Sequence, residues 1–384
     1  MKRARVGLFV MIDAVGGRYA QEREFLAHFE QKSSLRTVLG YSCSCQPTLL
    51  SGKLPREHGH GPMYRPRDGA SALDSAKTYA WLPRRVADSW RVRNRIYAKV
   101  SQQVDGYFSL YECPTRLLPR FDLVEHRDIF QPKGLRQAES IFDRFVELKL
   151  EYSTFSWRTP EEENIASVQE LLREKRNDVI FLYLPEVDGL LHAGGKSSAA
   201  VHERLGWYED QILGLLELAE QNYSEVDLLV FSDHGMSDVH GSFDLKSEIE
   251  SRFGQNGGQY LAFYDSTMAR FWSEDEALRS QIADHLATRA GGRLIEAAES
   301  RDLGVDLANG DMGQILFVVD EGVLILPSYM GSALLAGMHG YHPDALDADA
   351  CFFSPRRLEG PAEHIVDIFY HMDAIATRIA QESR

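Results

Sequence analysis

The sequence has few cysteines and no long apolar run. Its four cysteines among 384 residues are Cys43, Cys45, Cys113 and Cys351, and only one residue separates the first two. This content does not suit a disulfide-stabilised secreted domain, so we expect a cytoplasmic location. No apolar stretch approaches the roughly 20 residues that a membrane helix needs, so we expect no membrane partner.

Positive charge is also scarce. The chain has 42 Lys and Arg residues against 57 Asp and Glu residues, a net charge of −15. This balance argues against binding of nucleic-acid polymers through a broad basic surface. An acidic protein that acts on an anionic substrate must neutralise charge locally, and bound divalent metal ions do this well.

Strand-like and helix-like segments alternate along the chain, which predicts an α/β fold with a mostly parallel sheet covered on both faces. We expect strands at about 5–12, 178–184 and 227–231, and helices at about 160–175, 197–221 and 362–381. The last helix is expected to pack at the sheet edge. The first apolar run is short and ends in Asp13, so it is interpreted as a strand and not as a signal peptide.

Two stretches fit this alternation poorly. One, at about 62–136, contains scattered prolines and a basic run from Arg84 to Lys99. The other, at about 247–328, is rich in strand-like segments. We interpret both as insertions over the catalytic face of a single domain spanning 1–384, and the second as a lid. The basic run is interpreted as a solvated or ion-paired surface.

Charged and imidazole side chains follow the predicted strands. Asp13 ends the first strand, and Asp233 and His234 end the third. A carboxylate there is destabilising unless it is paired or metal-bound, although a helix N-cap or a polar turn would also explain it. In open α/β sheets, chemistry lies outside the carboxyl ends of strands. These residues are therefore candidate metal ligands.

Two further segments carry candidate ligands. Asp188 and His192 are four residues apart, so a helical turn places both on one face. A carboxylate with an imidazole suits zinc, and an exposed ion pair is the alternative. His339 lies between two nearby glycines, and His342, three residues later, could compete for the same role.

A candidate nucleophile precedes a short apolar helix that Gly52 terminates. Ser42 at this helix N-terminus would feel the positive end of the helix dipole, which favours its alkoxide and an attached phosphate. Simple helix capping by Ser42 or Ser44 is the alternative.

Taken in order, these residues resemble the alkaline phosphatase superfamily, most closely its type I phosphodiesterase/nucleotide pyrophosphatase branch. In that branch the nucleophile stands ten residues before the Gly of a TG..P..HG string. Here Ser42 stands ten residues before Gly52, and Ser51 replaces the Thr. The remaining matches are Pro55, His58 and Gly59, the D…H pair at Asp188 and His192, DHGM at 233–236 and HGY at 339–341.

The resemblance implies a three-layer α/β/α core with inserted lid segments and two divalent metal ions, with zinc expected and manganese the alternative. Asp188, His192 and His339 would hold one ion. Asp13, Asp233 and His234 would hold the other. Ser42 would form a phosphoseryl intermediate that water then hydrolyses. Because the histidine ligands must be neutral, activity should fall in acid.

The sequence also departs from the family pattern in the region after the nucleophile. Nucleotide pyrophosphatases have an Asn about twenty residues after the nucleophile, and here that region has none; His60, Tyr64 or a backbone N–H could substitute. Sulfatases need an Arg four residues after the nucleophile, where this chain has Gln46. The predicted substrate is a small anionic phosphodiester. A phosphomonoesterase, a phosphonate hydrolase, a phosphotransferase or mutase, and a non-catalytic binding module remain alternatives; no oligomeric state is predicted.

Overall fold

The computed structural model describes residues 4–307 and 310–382. The strands of this part of the chain are β1 (Arg5–Ile12), β2 (Gln31–Leu35), β3 (Tyr64–Pro66), β4 (Phe121–Leu123), β5 (Tyr152–Phe155), β6 (Val179–Leu184), β7 (Glu225–Phe231), β8 (Ser237–Asp238), β9 (Gly241–Phe243), β10 (Leu261–Tyr264), β11 (Met268–Trp272), β12 (Gly292–Leu294), β13 (Ile315–Val319), β14 (Val323–Ile325), β15 (Gly337–Met338) and β16 (Ala350–Ser354). The helices are α1 (Gly17–Glu22), α2 (Ser42–Ser51), α3 (Pro55–His58), α4 (Arg84–Ala87), α5 (Trp90–Val100), α6 (Ile141–Leu148), α7 (Glu161–Glu174), α8 (Glu186–Gly194), α9 (Ala199–Asn222), α10 (Leu245–Phe253), α11 (Glu276–Ala287), α12 (Ala297–Asp302) and α13 (Val366–Glu382).

The central sheet has six strands in the order β2-β16-β7-β1-β6-β5. β1 pairs in parallel with β7 and with β6, and β5 pairs in parallel with β6. β16 runs antiparallel to both of its neighbours, β7 and β2. The sheet is therefore mostly parallel, which confirms the predicted α/β fold. The carboxyl ends of β1, β6 and β7 meet at one edge of the sheet, where chemistry is expected.

The side chains of β1 alternate between the two faces of the sheet, as the pleat of a strand requires. Val6, Leu8 and Val10 belong to one buried cluster with residues of α7 and α9. Phe9 and Met11 belong to another, with residues of α2, α6 and α13. Helices therefore cover both faces, and the predicted three-layer arrangement is confirmed.

The last helix, α13, packs over a face of the sheet. It contacts β1, which lies inside the sheet, and the neighbouring helices α2 and α6. A Cβ atom built on Gly7 of β1 would lie 3.3 Å from a side-chain atom of Ile375 and 3.5 Å from one of Ile379. The expectation of edge packing is wrong, because the apolar stripe of α13 covers the flat surface that Gly7 leaves beside it.

The fold relies on burial of apolar surface and not on cross-links. The four cysteines are free thiols; Cys43 is half-buried and the other three are buried. None of the helices in residues 4–307 and 310–382 combines the length and the apolar composition that a bilayer crossing requires.

The two stretches that interrupt the alternation share one hydrophobic core, which we call the accessory lobe (about 62–136 and 247–328). Tyr64 and Phe121 from the first stretch pack in one cluster with Phe263, Phe271 and Phe317 from the second. The second stretch forms a four-stranded antiparallel sheet in the order β10-β11-β13-β12. The first contributes the β3–β4 pair and α5.

A buried arginine joins the two halves of the accessory lobe. Arg270 on β11 is fully buried, and its Nε donates to Asp265 Oδ2 at 2.8 Å. Its Nη1 donates to the backbone oxygen of Tyr64 at 2.6 Å. Burial raises the pKa of Asp265, and the guanidinium opposes that rise. The charge pair therefore depends on both partners being present.

Replacing Arg270 with Met should lower the free energy of unfolding by about 3–5 kcal/mol, because Asp265 is left as a buried, unpaired carboxyl group. Urea denaturation measures this loss. The double variant Arg270→Met/Asp265→Asn removes both charges and should recover part of the lost stability. An equal loss in the single and double variants would contradict this account of the pair.

Candidate active site

Two neighbouring strands bring three candidate ligands together. β1 and β7 pair in parallel, with Met11 opposite Phe231, so the residues that follow both strands lie side by side. Asp13, Asp233 and His234 are all buried there. His234 Nε2 lies 3.4 Å from Asp13 Oδ1 and 3.4 Å from Asp233 Oδ2. We call this set the first ligand group.

The second ligand group comes from α8 and the segment after β15. Asp188 and His192 lie one turn apart on α8, with Asp188 Oδ1 3.3 Å from His192 Nε2. β15 pairs with β8, which follows the first group along the chain, and this pairing brings His339 to the same edge. His339 Nε2 lies 3.8 Å from Asp188 Oδ1.

The two groups are adjacent and each has the dimensions of a metal site. In each group, one nitrogen or oxygen atom from every residue lies within 4.8 Å of the others. The rings of His234 and His339, one from each group, stack with centroids 3.8 Å apart and planes 9° apart. Two cations held by these groups would therefore be close neighbours.

The unpartnered polar atoms of the site fit bound cations. Asp13 Oδ1 and Asp188 Oδ1 are buried and accept no hydrogen bond from the described residues. His192 Nδ1 donates to the Gly337 carbonyl at 2.9 Å, and His234 Nδ1 donates to the Gly235 carbonyl at 3.0 Å. Since a carbonyl only accepts, both Nδ1 atoms carry the proton and both Nε2 atoms are free to bind a metal.

The shifted pKa values of the site residues also favour a bound cation. Burial, and then the neighbouring carboxylates of Asp233 and Asp188, raise the pKa of Asp13 well above its ordinary value. Burial also raises the pKa of Asp233, with Asp188 adding to the effect. The pKa of His339 is lowered by burial and by His234 and His192. A cation is the natural compensation for carboxylates that are costly to ionise in this position.

Ser42 is the first residue of α2 and faces the first ligand group. Its Oγ lies 3.0 Å from His234 Nε2 and donates to it, because the proton of that ring is on Nδ1. Gly52 closes the helix in the left-handed conformation, at φ 65°. The neighbouring Cys43 is a poor rival nucleophile, since burial raises the pKa of its thiol to about 12.

Gln46, one turn after Ser42, orients the first ligand group. Its Nε2 lies 3.3 Å from Asp13 Oδ2, 3.3 Å from Asp233 Oδ2 and 2.9 Å from Tyr183 Oη. The Tyr183 hydroxyl itself donates to Asp13 Oδ2. The sequence shows Gln46 only as the residue that replaces the sulfatase arginine. Gln46 is four residues after Ser42, so a helix would place both side chains on the same face; this spacing could have indicated that Gln46 lies at the site.

Three sequence candidates lie elsewhere. His60 is buried away from the cavity, and its Nε2 accepts from the Arg136 N–H at 3.0 Å. Tyr64 is buried in the accessory lobe, where its hydroxyl donates to the Ser109 carbonyl at 2.8 Å. Neither side chain lines the cavity over Ser42, so the structure gives no support to His60 or Tyr64 as the substitute for the missing Asn. His342 Nε2 lies 3.1 Å from Glu299 Oε1, and it is His339 that joins the second ligand group.

A cavity of 350 Å³ opens over Ser42 and the ligand groups. Aromatic rings of Tyr41, Tyr107, Tyr111, Phe130, Trp157 and Tyr183 line it. Among the described residues, no Lys or Arg side chain contributes to this lining. Glu125 also lines the cavity; it accepts from the Tyr107 N–H at 2.7 Å, and burial raises its pKa to about 8. The cavity is thus largely apolar away from the ligand groups.

Solved structures share this fold. The human ectonucleotide pyrophosphatase/phosphodiesterase 5 aligns over 98% of this chain and 95% of its own, with a TM-score of 0.66 and 14% identity. An inactive form of the murine protein in complex with AMP aligns over 97% of this chain and 95% of its own, with a TM-score of 0.64 and 17% identity. Phosphonoacetate hydrolase from Sinorhizobium meliloti 1021, in complex with phosphonoacetate, aligns over 97% of this chain and 96% of its own, with a TM-score of 0.66 and 13% identity. No curated protein matches the chain in sequence.

The architecture and its structural relatives define the fold, and the family model defines the class of protein as a hydrolase of phosphoester bonds. The model of the type I phosphodiesterase/nucleotide pyrophosphatase family matches residues 24–342. The chain therefore belongs to this divalent-metal-dependent family, which confirms the resemblance drawn from the motifs. Asp13 lies before the matched residues, and the pairing of β1 with β7 is what brings it to the site.

Replacing Gln46 with Met should weaken metal binding by about 10–100-fold, because the carboxylates of Asp13 and Asp233 lose the amide that orients them. Calorimetric titration with Zn²⁺ or Mn²⁺ measures the change. Gln137→Met is a matched control, since Gln137 is exposed. Equal affinity in the two variants would show that the Gln46 amide has no orienting role.

Metal affinity should rise with pH. Without metal, Asp13 and Asp233 hold their protons above the ordinary carboxyl range near 4, because their pKa values are raised. Metal binds the ionised form, so binding releases protons and weakens as the pH falls through these raised values. Titration in buffers of different ionisation enthalpy counts the protons released. The Asp233→Asn variant should release fewer, and pH-independent binding would contradict the assignment.

Proposed function

We propose that this protein is a phosphodiesterase that uses two divalent metal ions and Ser42 as its nucleophile. The observation that supports this most strongly is the position of Ser42 Oγ, 3.0 Å from His234 Nε2 at the start of α2. Zinc is the expected metal, because each ligand group combines carboxylate with imidazole; manganese is the alternative. A cytoplasmic location stays a prediction from the cysteine content.

The ligands would divide between two ions. Asp188, His192 and His339 would hold one of them. The first ligand group would hold the other, next to Ser42. When bound, the ions would neutralise negative charge on the phosphoryl oxygens and lower the pKa of the serine hydroxyl.

The chemistry on Ser42 would be a displacement at phosphorus in two steps. Its Oγ would lose its proton to water and form a bond to phosphorus, while the bond from phosphorus to the leaving oxygen breaks and that oxygen takes up a proton from water to depart as the alcohol. The helix dipole of α2 favours the resulting phosphoseryl group. Water would then hydrolyse that group and return the Ser42 hydroxyl. The Cys43 backbone N–H, in the first turn of α2, would contact a phosphoryl oxygen in place of the missing Asn.

The cavity favours a diester over a monoester. A monoester carries an additional negative charge, and phosphonoacetate a carboxylate, which would call for a further cationic side chain. The described residues place no Lys or Arg in the lining, and Arg93 of the basic run donates instead to the Leu110 and Cys113 carbonyls. Aromatic rings around the cavity suit a planar leaving group such as a nucleoside.

We expect metal-loaded protein to hydrolyse an aryl phosphodiester or a nucleotide aryl ester roughly tenfold or more faster than an aryl phosphate monoester, because an uncompensated charge in an apolar cavity is costly. Spectrophotometric release of the aryl alcohol measures all three rates. A preference for the monoester would favour a phosphomonoesterase. Transfer to an added alcohol ahead of water would favour the phosphotransferase alternative.

Ser42→Ala should lower kcat/KM by about 10³-fold or more while metal affinity is retained, because only the nucleophile is removed. Ser44→Ala, on the same turn of α2, is the matched control and should stay close to the parent protein. Mass spectrometry of rapidly quenched protein should find phosphate on Ser42. Unchanged turnover in the Ser42→Ala variant would reject the proposed nucleophile.

A further inference from the structure

The basic run in the accessory lobe is an outlier in an acidic protein. Residues 81–99 contain six basic residues and one acidic residue, a net charge of +5 in a chain of −15. The run covers α4 and most of α5. The inner side of α5 buries Val92, Ile96 and Val100 in the lobe core. Arg91, Arg95 and Lys99 are left exposed on the outer side, while Arg93 donates to backbone carbonyls.

Large apolar side chains are exposed among these charges. Trp81 is 79% exposed, Trp90 is 68% exposed and Val86 is 48% exposed. Arg91 lies over the ring of Trp90, 5.7 Å from its centroid. We call these three residues and the exposed Arg84, Arg85, Arg91, Arg95 and Lys99 the basic-aromatic surface. Two exposed tryptophans in one short segment of the chain are unusual for a surface that contacts only water.

Most of the charge on this surface is unpaired. Arg84 lies 3.5 Å from Asp88. Within residues 4–307 and 310–382, Arg85, Arg91 and Arg95 form no ion pair with a carboxylate. Of the two alternatives expected for the run, a solvated or an ion-paired surface, these arginines fit the solvated one, and their positive potential is available to a partner.

The surface adjoins the mouth of the cavity. The ring of Tyr97 on α5 stacks on Phe108, with centroids 4.7 Å apart. The residue before Phe108 is Tyr107, which is 49% exposed and lines the cavity. A partner seated on α5 would therefore lie beside the entrance to the active site.

The chemistry of the surface selects among partners. A symmetric dimer would place two surfaces of like charge against each other, which is unfavourable. Single-stranded nucleic acids are held by stacking of bases on rings, and Val86 offers none. Tryptophan, aliphatic and arginine side chains together suit the interface of a bilayer with anionic headgroups.

We propose that the basic-aromatic surface docks the protein on anionic membrane surfaces, with the cavity mouth facing the bilayer. Trp81, Val86 and Trp90 insert at the headgroup level, and the unpaired arginines contact lipid phosphates. This departs from the sequence-based expectation of no membrane partner. It does not depend on the proposed catalytic function, because docking involves none of the metal ligands and not Ser42.

The test is co-sedimentation of the full chain with vesicles of phosphatidylcholine, with and without phosphatidylglycerol. The parent protein should bind the anionic vesicles, less so as salt rises, and should bind the neutral vesicles far more weakly. Arg85→Gln/Arg91→Gln should weaken binding by roughly 25-fold, about fivefold for each charge removed. Trp81→Ala/Trp90→Ala should also weaken it, and this loss should persist at higher salt.

Arg356→Gln/Arg357→Gln removes the same charge from exposed residues elsewhere and should bind as the parent does. Unchanged thermal unfolding would show that the variants are folded. Equal losses in both charge variants would overturn the proposal, as would absence of binding to anionic vesicles at low salt. Displacement from vesicles by a single-stranded oligonucleotide would identify a nucleic acid as the partner instead. Self-association that Arg85→Gln/Arg91→Gln abolishes would identify a second copy.

Discussion

The burial of Asp13 and Asp233 side by side at the ends of two paired strands is the constraint on which the rest of the site depends. Two carboxylates in this position are costly to ionise, and the structure raises the pKa of each. Protein donors offset part of that cost, through the Gln46 amide and the Tyr183 hydroxyl. Asp13 Oδ1 is left without a donor, so the remaining compensation falls to a cation.

The architecture of the sheet makes this arrangement rigid. β1 is hydrogen-bonded on both sides, to β6 and β7, so the ends of three strands are fixed relative to one another. α8 continues directly from β6, and the β8–β15 pair brings His339 across from a distant part of the chain. No candidate ligand among the described residues therefore depends on a long free loop, and the rings of His192 and His234 are held by backbone carbonyls. Preorganisation of this kind is what metal sites require.

The part of this site that the sequence predicts is local. Asp13, Asp233 and the Asp188–His192 pair come shortly after apolar runs. A short segment of sequence is therefore enough to identify them as candidate metal ligands. The sequence does not predict β16, which lies between β2 and β7 although it follows them in the chain, because strand order depends on long-range pairing. Gln46 was missed because its partners are distant in sequence. His60 and Tyr64 were candidates on motif position alone, which carries no information on the core that a side chain enters.

Basic side chains are absent from the described lining of the cavity and are concentrated on the outer surface of the accessory lobe. A basic residue in the cavity would compete with the metal ions for the phosphoryl oxygens and would pair with the ligand carboxylates. The described lining has none, and the arginines of the basic run either donate to carbonyls, as Arg93 does, or are exposed, as Arg85 and Arg91 are. Positive charge that the site excludes is thus concentrated on the outer side of α5. Under the two proposals, the cavity would select substrates by shape and metal charge, and the basic-aromatic surface beside its mouth would supply attraction over longer distances.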